Sequence, residues 1–506
     1  MTESLDTAVD IRGLSLDEMI DSGGDHRQWL DPSTGLNRYR VSGVPRDGEP
    51  LGSCTASWSS PLGWDAAGAV LDGWRAETGV DPVAALLETA DGVRDRLRAI
   101  FAVSDCEVVL TPSGTDAVFV VSSVALARGA RHLHHVVVGA GELGSGTMPA
   151  AAGDTFTEAP PLGLTDDWGI GLTGLSEYCS AEPVYLRDAA GHALDPDEVD
   201  AAATAAVERG IDEPGSTVIL HMVAHSKTGL RAPSVRCVDE LVAAHPGRIL
   251  VLMDAAQGRV APTDIRRALR KGYVVLFTGS KFYSGPPFSG ALLMPGEWAD
   301  DPGPLPVGLD GWVTSVDLPA AWAGAREGAP VRANPGLLLR WESALAEMEA
   351  YHAISVERRS GVYHTFAAAL LGTFGPAPLV ELSIPTPPVH ELASGLGAFP
   401  SVYSLAIHRP DGTRLDADAL RRLHTVLDSE VESPDPAVRR RFHLGQPVAL
   451  GPPSADQPAV LRVALGARLV REHADRPDAG AAWFRGCAEE LHHKLQTAVL
   501  TPDLLP

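Results

Sequence analysis

The chain has 506 residues, 45% of them hydrophobic and 21% charged, the make-up of a folded globular protein with room for two or three domains. Its net charge of -24 at pH 7 argues against a nucleic-acid partner, because such a surface repels a phosphate backbone. No run of about eighteen apolar residues is present to span a membrane, and the start MTESLDTAVD lacks the basic and apolar regions of a signal peptide, so a cytoplasmic protein is expected.

Residues 1–64 read as an N-terminal arm, because LDPSTGLNRYRVSGVPRDGEPLGSCTASWSSP is crowded with Gly, Pro and Ser. From Asp81 to Val103, apolar residues recur at helical spacing: Val83, Leu86, Leu87, Ala90, Val93, Leu97 and Ile100. Strand-like runs follow at 106–110, 134–139, 217–223, 249–253, 273–277 and 289–293, with helical segments near 115–128, 196–209 and 234–245. This alternation predicts a large α/β domain over 65–330, its mostly parallel sheet covered by helices on both faces. Residues 140–190 fit the pattern badly and are expected to form a surface elaboration. A long helical stretch, Gly336 to about Gly372, opens a smaller C-terminal α/β domain over 331–506. Its strands are expected near 401–407 and 458–465, and its helices near 415–428 and 477–497. The five cysteines form no CxxC pair, and the HLHH cluster at His132–His135 has no cysteine beside it. A reduced chain without a metal site is expected.

Three polar motifs stand where strands end, which is where open α/β sheets bind ligands. In VVLTPSGTDAVFVV, a strand ends at Leu110 and a helix starts near Thr115. Gly114 permits a tight turn there, and the free N–H groups of Gly114, Thr115 and Asp116 form an anion site at the helix N-terminus. The plain alternative is a capped strand–helix turn. In ILVLMDAAQGRVAP, Asp254 follows five apolar residues, a costly place for an acid unless a cation or strong donor meets it. Gln257 reaches toward the same cleft. In LFTGSKFYSGPPFSG, Lys281 stands alone; the nearest charge is Lys271, ten positions back. Desolvation there lowers a lysine pKa and frees a nucleophilic amine. A phosphate site, a carboxylate for a ring nitrogen and a Schiff-base lysine are what pyridoxal 5'-phosphate (PLP) requires.

With SGTDA, DAAQ and TGSK in this order, and 27 positions from Asp254 to Lys281, the chain resembles the fold-type I PLP-dependent enzymes, closest to the class V aminotransferase and cysteine desulfurase branch. The resemblance covers about 90–300 well and the C-terminal part in outline. It implies that Ser113, Gly114 and Thr115 bind the phosphate, that Thr278 and Ser280 add to it, and that Asp254 pairs with the pyridine nitrogen. It further implies that Gln257 contacts the ring oxygen O3′ and that His225 or Ser226, in HMVAHSKTGLRAP, lies near it. Lys281 becomes the Schiff-base lysine and proton shuttle, and Arg462, in VLRVALGA, binds a substrate carboxylate. Three features depart from that pattern. VVVGAGELGSGT offers Glu142 and Leu143 where an aromatic or His usually covers the ring. Ser280 stands where many relatives have His. No cysteine lies between Cys237 and Cys487, which argues against desulfuration by a downstream cysteine loop. The expected activity is aminotransfer on an amino acid. The alternative is a biosynthetic elimination or replacement at Cβ or Cγ that joins a second carbon, as on an S-adenosylmethionine-like substrate. A PLP-fold protein without catalysis is a third reading. The resemblance also implies a homodimer, in which Arg332, Asn334 and the arm from Asn37 to Arg40 serve the neighbouring site.

Overall fold

The computed structural model describes residues 13–76, 81–163, 169–384, 392–501 and 504. Among them twelve strands form two sheets. In chain order these are β1 (Glu49–Leu51), β2 (Cys106–Thr111), β3 (His132–Val138), β4 (Cys179–Val184), β5 (Ser216–Val223), β6 (Ile249–Ala255), β7 (Val274–Thr278), β8 (Gly290–Pro295), β9 (Val380–Ser383), β10 (Val402–Ile407), β11 (Phe442–Ala449) and β12 (Ala459–Ala464).

The larger sheet has the order β2-β8-β7-β6-β5-β3-β4. Strands β4, β3, β5, β6 and β7 run parallel, and β8 is antiparallel to both β7 and β2. The central strands are apolar without alternation because helices cover both faces; every residue of VVLFT in β7 is buried. The Gly114–Ala127 helix is buried from Thr115 to Ala125, as its all-round apolar sequence requires. This is the large α/β unit expected from the alternation, with the sheet extended by β4. That strand lies in the stretch expected to be surface elaboration, and it pairs with β3 through Leu133↔Cys179 to Val138↔Val184.

The smaller sheet has the order β1-β11-β12-β10-β9. Its edge strand β1 comes from the N-terminal arm and runs parallel to β11, so the arm is tied into the C-terminal sheet. Pro50 is tolerated there because β1 is paired on one side only. The helical stretch expected over 336–372 is two helices, Pro335–His352 and Val356–Phe374, the second capped by Ser355. No helix among the described residues is long and apolar enough to cross a membrane.

Arg340, inside the Pro335–His352 helix and fully buried, holds the arm to this core. Its guanidinium donates to the carbonyls of Phe288 and Ile20, both at 2.8 Å, and to those of Ser22 and Gly23. Asn334 caps the same helix and donates to Gly23 O at 2.7 Å. Arg340→Met leaves these buried carbonyls without donors and is expected to cost about 3 kcal/mol. Denaturant unfolding reads the loss, and limited proteolysis reads release of the arm.

Candidate active site

Because β2, β3, β5, β6 and β7 run the same way, their carboxyl ends share one edge of the sheet. A cavity of about 650 Å³ opens there. Ser113, Gly114, Thr115, Asp254, Thr278, Ser280, Lys281 and Arg462 all line it. The three motifs, far apart in sequence, meet at one place.

Asp254 ends the buried run of β6. Its Oδ1 accepts from the Ala256 N–H at 2.9 Å. Burial pushes its pKa up, against that donor and the charges of Lys281 and Lys227. Lys281 is half-buried. Burial pushes its pKa down, with Asp254 opposing, so its amine gives up a proton more readily than a surface lysine. The turn that presents it is compact: Gly279 N donates to Ser289 O at 2.9 Å. A Cβ on Gly279 would stand 2.5 Å from that of Ala344, so the long helix permits only glycine there.

The helix N-terminus is partly self-capped. Ser113 Oγ accepts from Thr115 N at 3.2 Å and Asp116 N at 3.4 Å, while Ser113 N donates to Asp116 Oδ2 at 2.6 Å. The two long bonds are weak, and their N–H groups can turn to a stronger anionic acceptor. Asp116 is fully buried, and burial together with Asp25 raises its pKa to about 7 against the pull of Arg27. Arg27 itself is paired with Asp25 and lies 5.3 Å from the Phe288 ring centroid. Thr278 Oγ1 donates to Ala256 O at 2.6 Å, which fixes the end of β7 beside the end of β6. Below the cradle, a Cβ at Gly290 would meet Thr111 Oγ1 at 2.6 Å and the Ser113 carbonyl carbon at 2.8 Å. Gly290→Ala must displace the Ser113 turn, and a roughly tenfold weaker hold on an anion at that turn is expected from the loss of one charge-assisted bond. Equilibrium titration with PLP as the anion checks it.

His225, Ser226 and Gln257 do not line the cavity. His225 is buried with Nδ1 2.9 Å from Ser226 O, and burial holds its pKa well down. Ser226 Oγ donates to Glu142 Oε2. Gln257 Nε2 donates to Cys54 O at 3.0 Å, and its buried Oε1 has no hydrogen-bond partner. Neither Glu142 nor Leu143 stands over the cavity. Glu142 is turned toward Arg187, Ser226 and Thr228, and Leu143 is in the core. Gly144, Ser145 and Thr147 form that wall, and the aromatic rings among the described residues at the cavity are those of Tyr39, Phe288 and His424.

Sequence reasoning gave the arm from Asn37 to Arg40 to a neighbouring site, and it missed Lys227. Arg27, Arg38, Tyr39, Arg40, Cys54 and Thr55 line the cavity of their own chain. Asn334 likewise holds the arm of its own chain, and Arg332 donates to Leu162 O at 3.0 Å. Lys227 also lines the cavity. A partial signal for it was present, because no charged residue lies between Glu213 and Lys227, although Arg231 follows four positions later. His134 and His135 in β3 face apart: His134 meets Ser180, and His135 is buried between Ser122 and His221.

The cysteine desulfurase CsdA from Escherichia coli superposes with a TM-score of 0.51 at 13% identity, over 91% of this chain and 96% of that one. Sphingomonas wittichii serine palmitoyltransferase gives 0.50 at 12% identity, over 89% and 87%. A NifS-like protein gives 0.50 at 12%, over 89% of this chain and 100% of that one. The fold is that of the fold-type I PLP-dependent enzymes. No family model matches the sequence, and no curated protein matches it. Within the fold-type I frame the residues present fit the cofactor: a buried acid, a lysine of lowered pKa and a helix N-terminus with weakly engaged N–H groups surround one cavity.

Proposed function

We propose that the protein is a PLP-dependent enzyme that acts on an amino acid, with aminotransfer as its reaction. The observation that carries this reading is the meeting of Lys281, Asp254 and the Ser113–Thr115 turn around one cavity. Bound PLP supplies an electron sink for charge that develops at the substrate Cα. Ser113, Gly114 and Thr115 hold the phosphate, with Thr278 and Ser280 beside them. Asp254 keeps the ring nitrogen protonated. Lys281 would hold the cofactor aldehyde, and its amine, of lowered pKa, would take and return the proton at the substrate Cα. Arg462 brings positive charge to the carboxylate end of the cavity. A homodimer in the cytoplasm belongs to the same reading.

A second reading, elimination or replacement at Cβ or Cγ, is favoured by the size of the cavity, about 650 Å³, and by the arm that forms part of its wall. Cys54 at that wall is 1% exposed, and its carbonyl accepts from Gln257 and Arg462, an anchored position unlike a mobile sulfur-carrying loop. A panel of amino acids that includes S-adenosylmethionine separates the two readings. Keto-acid product together with a pyridoxamine-type spectrum means aminotransfer, and release of a side-chain group means elimination or replacement. Neither product from a protein that holds PLP would mean a binding protein without catalysis.

A further inference from the structure

Arg462 and Lys227 both line the cavity and are joined through Arg462 Nη1 and Lys227 O, but their other hydrogen bonds differ. Arg462 is 2% exposed, and all five of its N–H groups are engaged by the protein itself. Nε donates to Gln446 O at 3.3 Å, and Nη2 donates to the same oxygen at 2.7 Å and to Thr55 Oγ1 at 2.6 Å. Nη1 donates to Cys54 O at 3.3 Å and to Lys227 O at 3.2 Å. For Arg462 to grip a carboxylate through two N–H groups, it must abandon buried carbonyls, which is costly.

Lys227 shows the converse. Its backbone is fixed from two sides, by its N–H to Glu142 O at 3.0 Å and by Arg462 at its carbonyl. The turn around it is tightened by Ser226 Oγ, which accepts from Thr228 N at 3.3 Å and Leu230 N at 3.0 Å. Its ammonium has three donors, and the contact it makes is a long one of 3.4 Å to Gly141 O. The nearby Glu142 carboxylate is taken up by Arg187, Ser226 and Thr228. Asp254, the one acid among the described residues that line the cavity, sits at the end of β6 where the ring nitrogen is placed. Of the other cations that line the cavity, Arg27, Arg40 and Arg421 are paired with Asp25, Asp428 and Asp418, so Arg38, Lys227, Lys281 and Arg462 leave positive charge in excess over Asp254.

We propose that Lys227 makes the direct contact with the substrate carboxylate and that Arg462 is the residue that positions it, a proposal that rests on reading the cavity as a PLP site for amino acids. Burial, then the charges of Arg462 and Lys281, lower the Lys227 pKa to about 7, with Glu142 and Asp254 opposing. A bound carboxylate restores the missing negative charge. Carboxylate affinity is therefore highest while Lys227 is protonated and falls as pH rises above its pKa.

Two probes test this with the PLP-loaded protein: 2-methylalanine, which carries a carboxylate, and isopropylamine, its counterpart without one. Spectral titration is expected to show Lys227→Met weakening 2-methylalanine by about ten- to a hundredfold and leaving isopropylamine unchanged. Lys227→Arg keeps most of the preference. Arg462→Gln keeps the preference as well, and it moves the pH midpoint for 2-methylalanine upward, because a neighbouring cation is gone. An unchanged preference in Lys227→Met overturns the proposal, and so does a preference lost only in Arg462→Gln. A readout independent of the cofactor is limited acetylation of the apoprotein, followed by peptide mass spectrometry. Sodium formate, against chloride at equal ionic strength, is expected to protect Lys227 and not Lys271, which is paired with Asp239 at the surface. Failure of PLP to bind would remove the proposed function, whereas equal labelling of Lys227 in both salts would remove the carboxylate contact.

Discussion

Lys281→Ala is expected to abolish turnover of amino acids, with a fall of about 10⁴-fold or more, while the fold is retained. On the proposed function two roles are lost in one substitution: the covalent hold on the cofactor and the base that moves the Cα proton. Lysine is required there because the amine must be neutral when it acts, and burial lowers its pKa toward that state. Lys227 stands in the same cavity but is held by its own turn, between Glu142 O and Arg462, and is not expected to substitute. Added methylamine or ethylamine, small enough to fill the space of the lost side chain, is expected to restore part of the proton transfer. Steady-state kinetics with and without the amine reads both effects. Unchanged turnover in Lys281→Ala would mean that the chemistry lies elsewhere.

Asp254→Asn is expected to lower kcat by about 10²- to 10³-fold, the usual scale for loss of a preorganised electrostatic partner. The substitution keeps the shape and the Ala256 N–H contact but removes the charge that, on the proposed function, holds the ring nitrogen protonated. PLP is still expected to bind, because Lys281 and the Ser113–Thr115 turn are intact. The pH dependence has a definite sign. Burial raises the Asp254 pKa in the protein without cofactor, so its carboxylate gains a proton at a higher pH than an exposed acid does. A cation on the ring nitrogen lowers it again. Cofactor affinity is therefore expected to fall as pH falls through the raised Asp254 pKa, and Asp254→Asn is expected to flatten that fall. Equal slopes in the two proteins would assign the acid limb to another group.

The parts of this site that were legible in the sequence are those set by local rules. The apolar runs of β6 and β7 announce strands buried on both faces, so an acid or a lysine directly after them demands an explanation. Ser113 before an apolar run announces a capped helix. Three of the four missed strands, β11, β4 and β1, break those rules for physical reasons. β11 carries Gly445 and Pro447 inside its span, with a register shift between Gly445 and Val448. β4 contains Pro183 and is an edge strand, and β1 contains Pro50 at the opposite sheet's edge. The break between the two helices of the 336–372 stretch rests on one N-cap, Ser355, whose side chain accepts from Arg358 N. The arm was legible as irregular chain that serves a site, but not in its place along the cavity of its own chain. Its position comes from Arg340 and Asn334, more than 300 residues away in sequence, which hold Ile20, Ser22 and Gly23. His225, Ser226 and Gln257 were placed by resemblance. Their side chains follow from neighbours that no resemblance supplies: Glu142 takes the Ser226 hydroxyl, and Cys54 takes the Gln257 amide.

The central claim is that PLP binds this chain through Lys281. It is tested most directly by incubating the purified protein with PLP, reducing with borohydride, and locating the resulting pyridoxyl adduct by peptide mass spectrometry. The account predicts a near-visible absorbance band before reduction and a single adduct, on the peptide that carries Lys281. An adduct on Lys227 alone, or no band and no adduct at all, would contradict it.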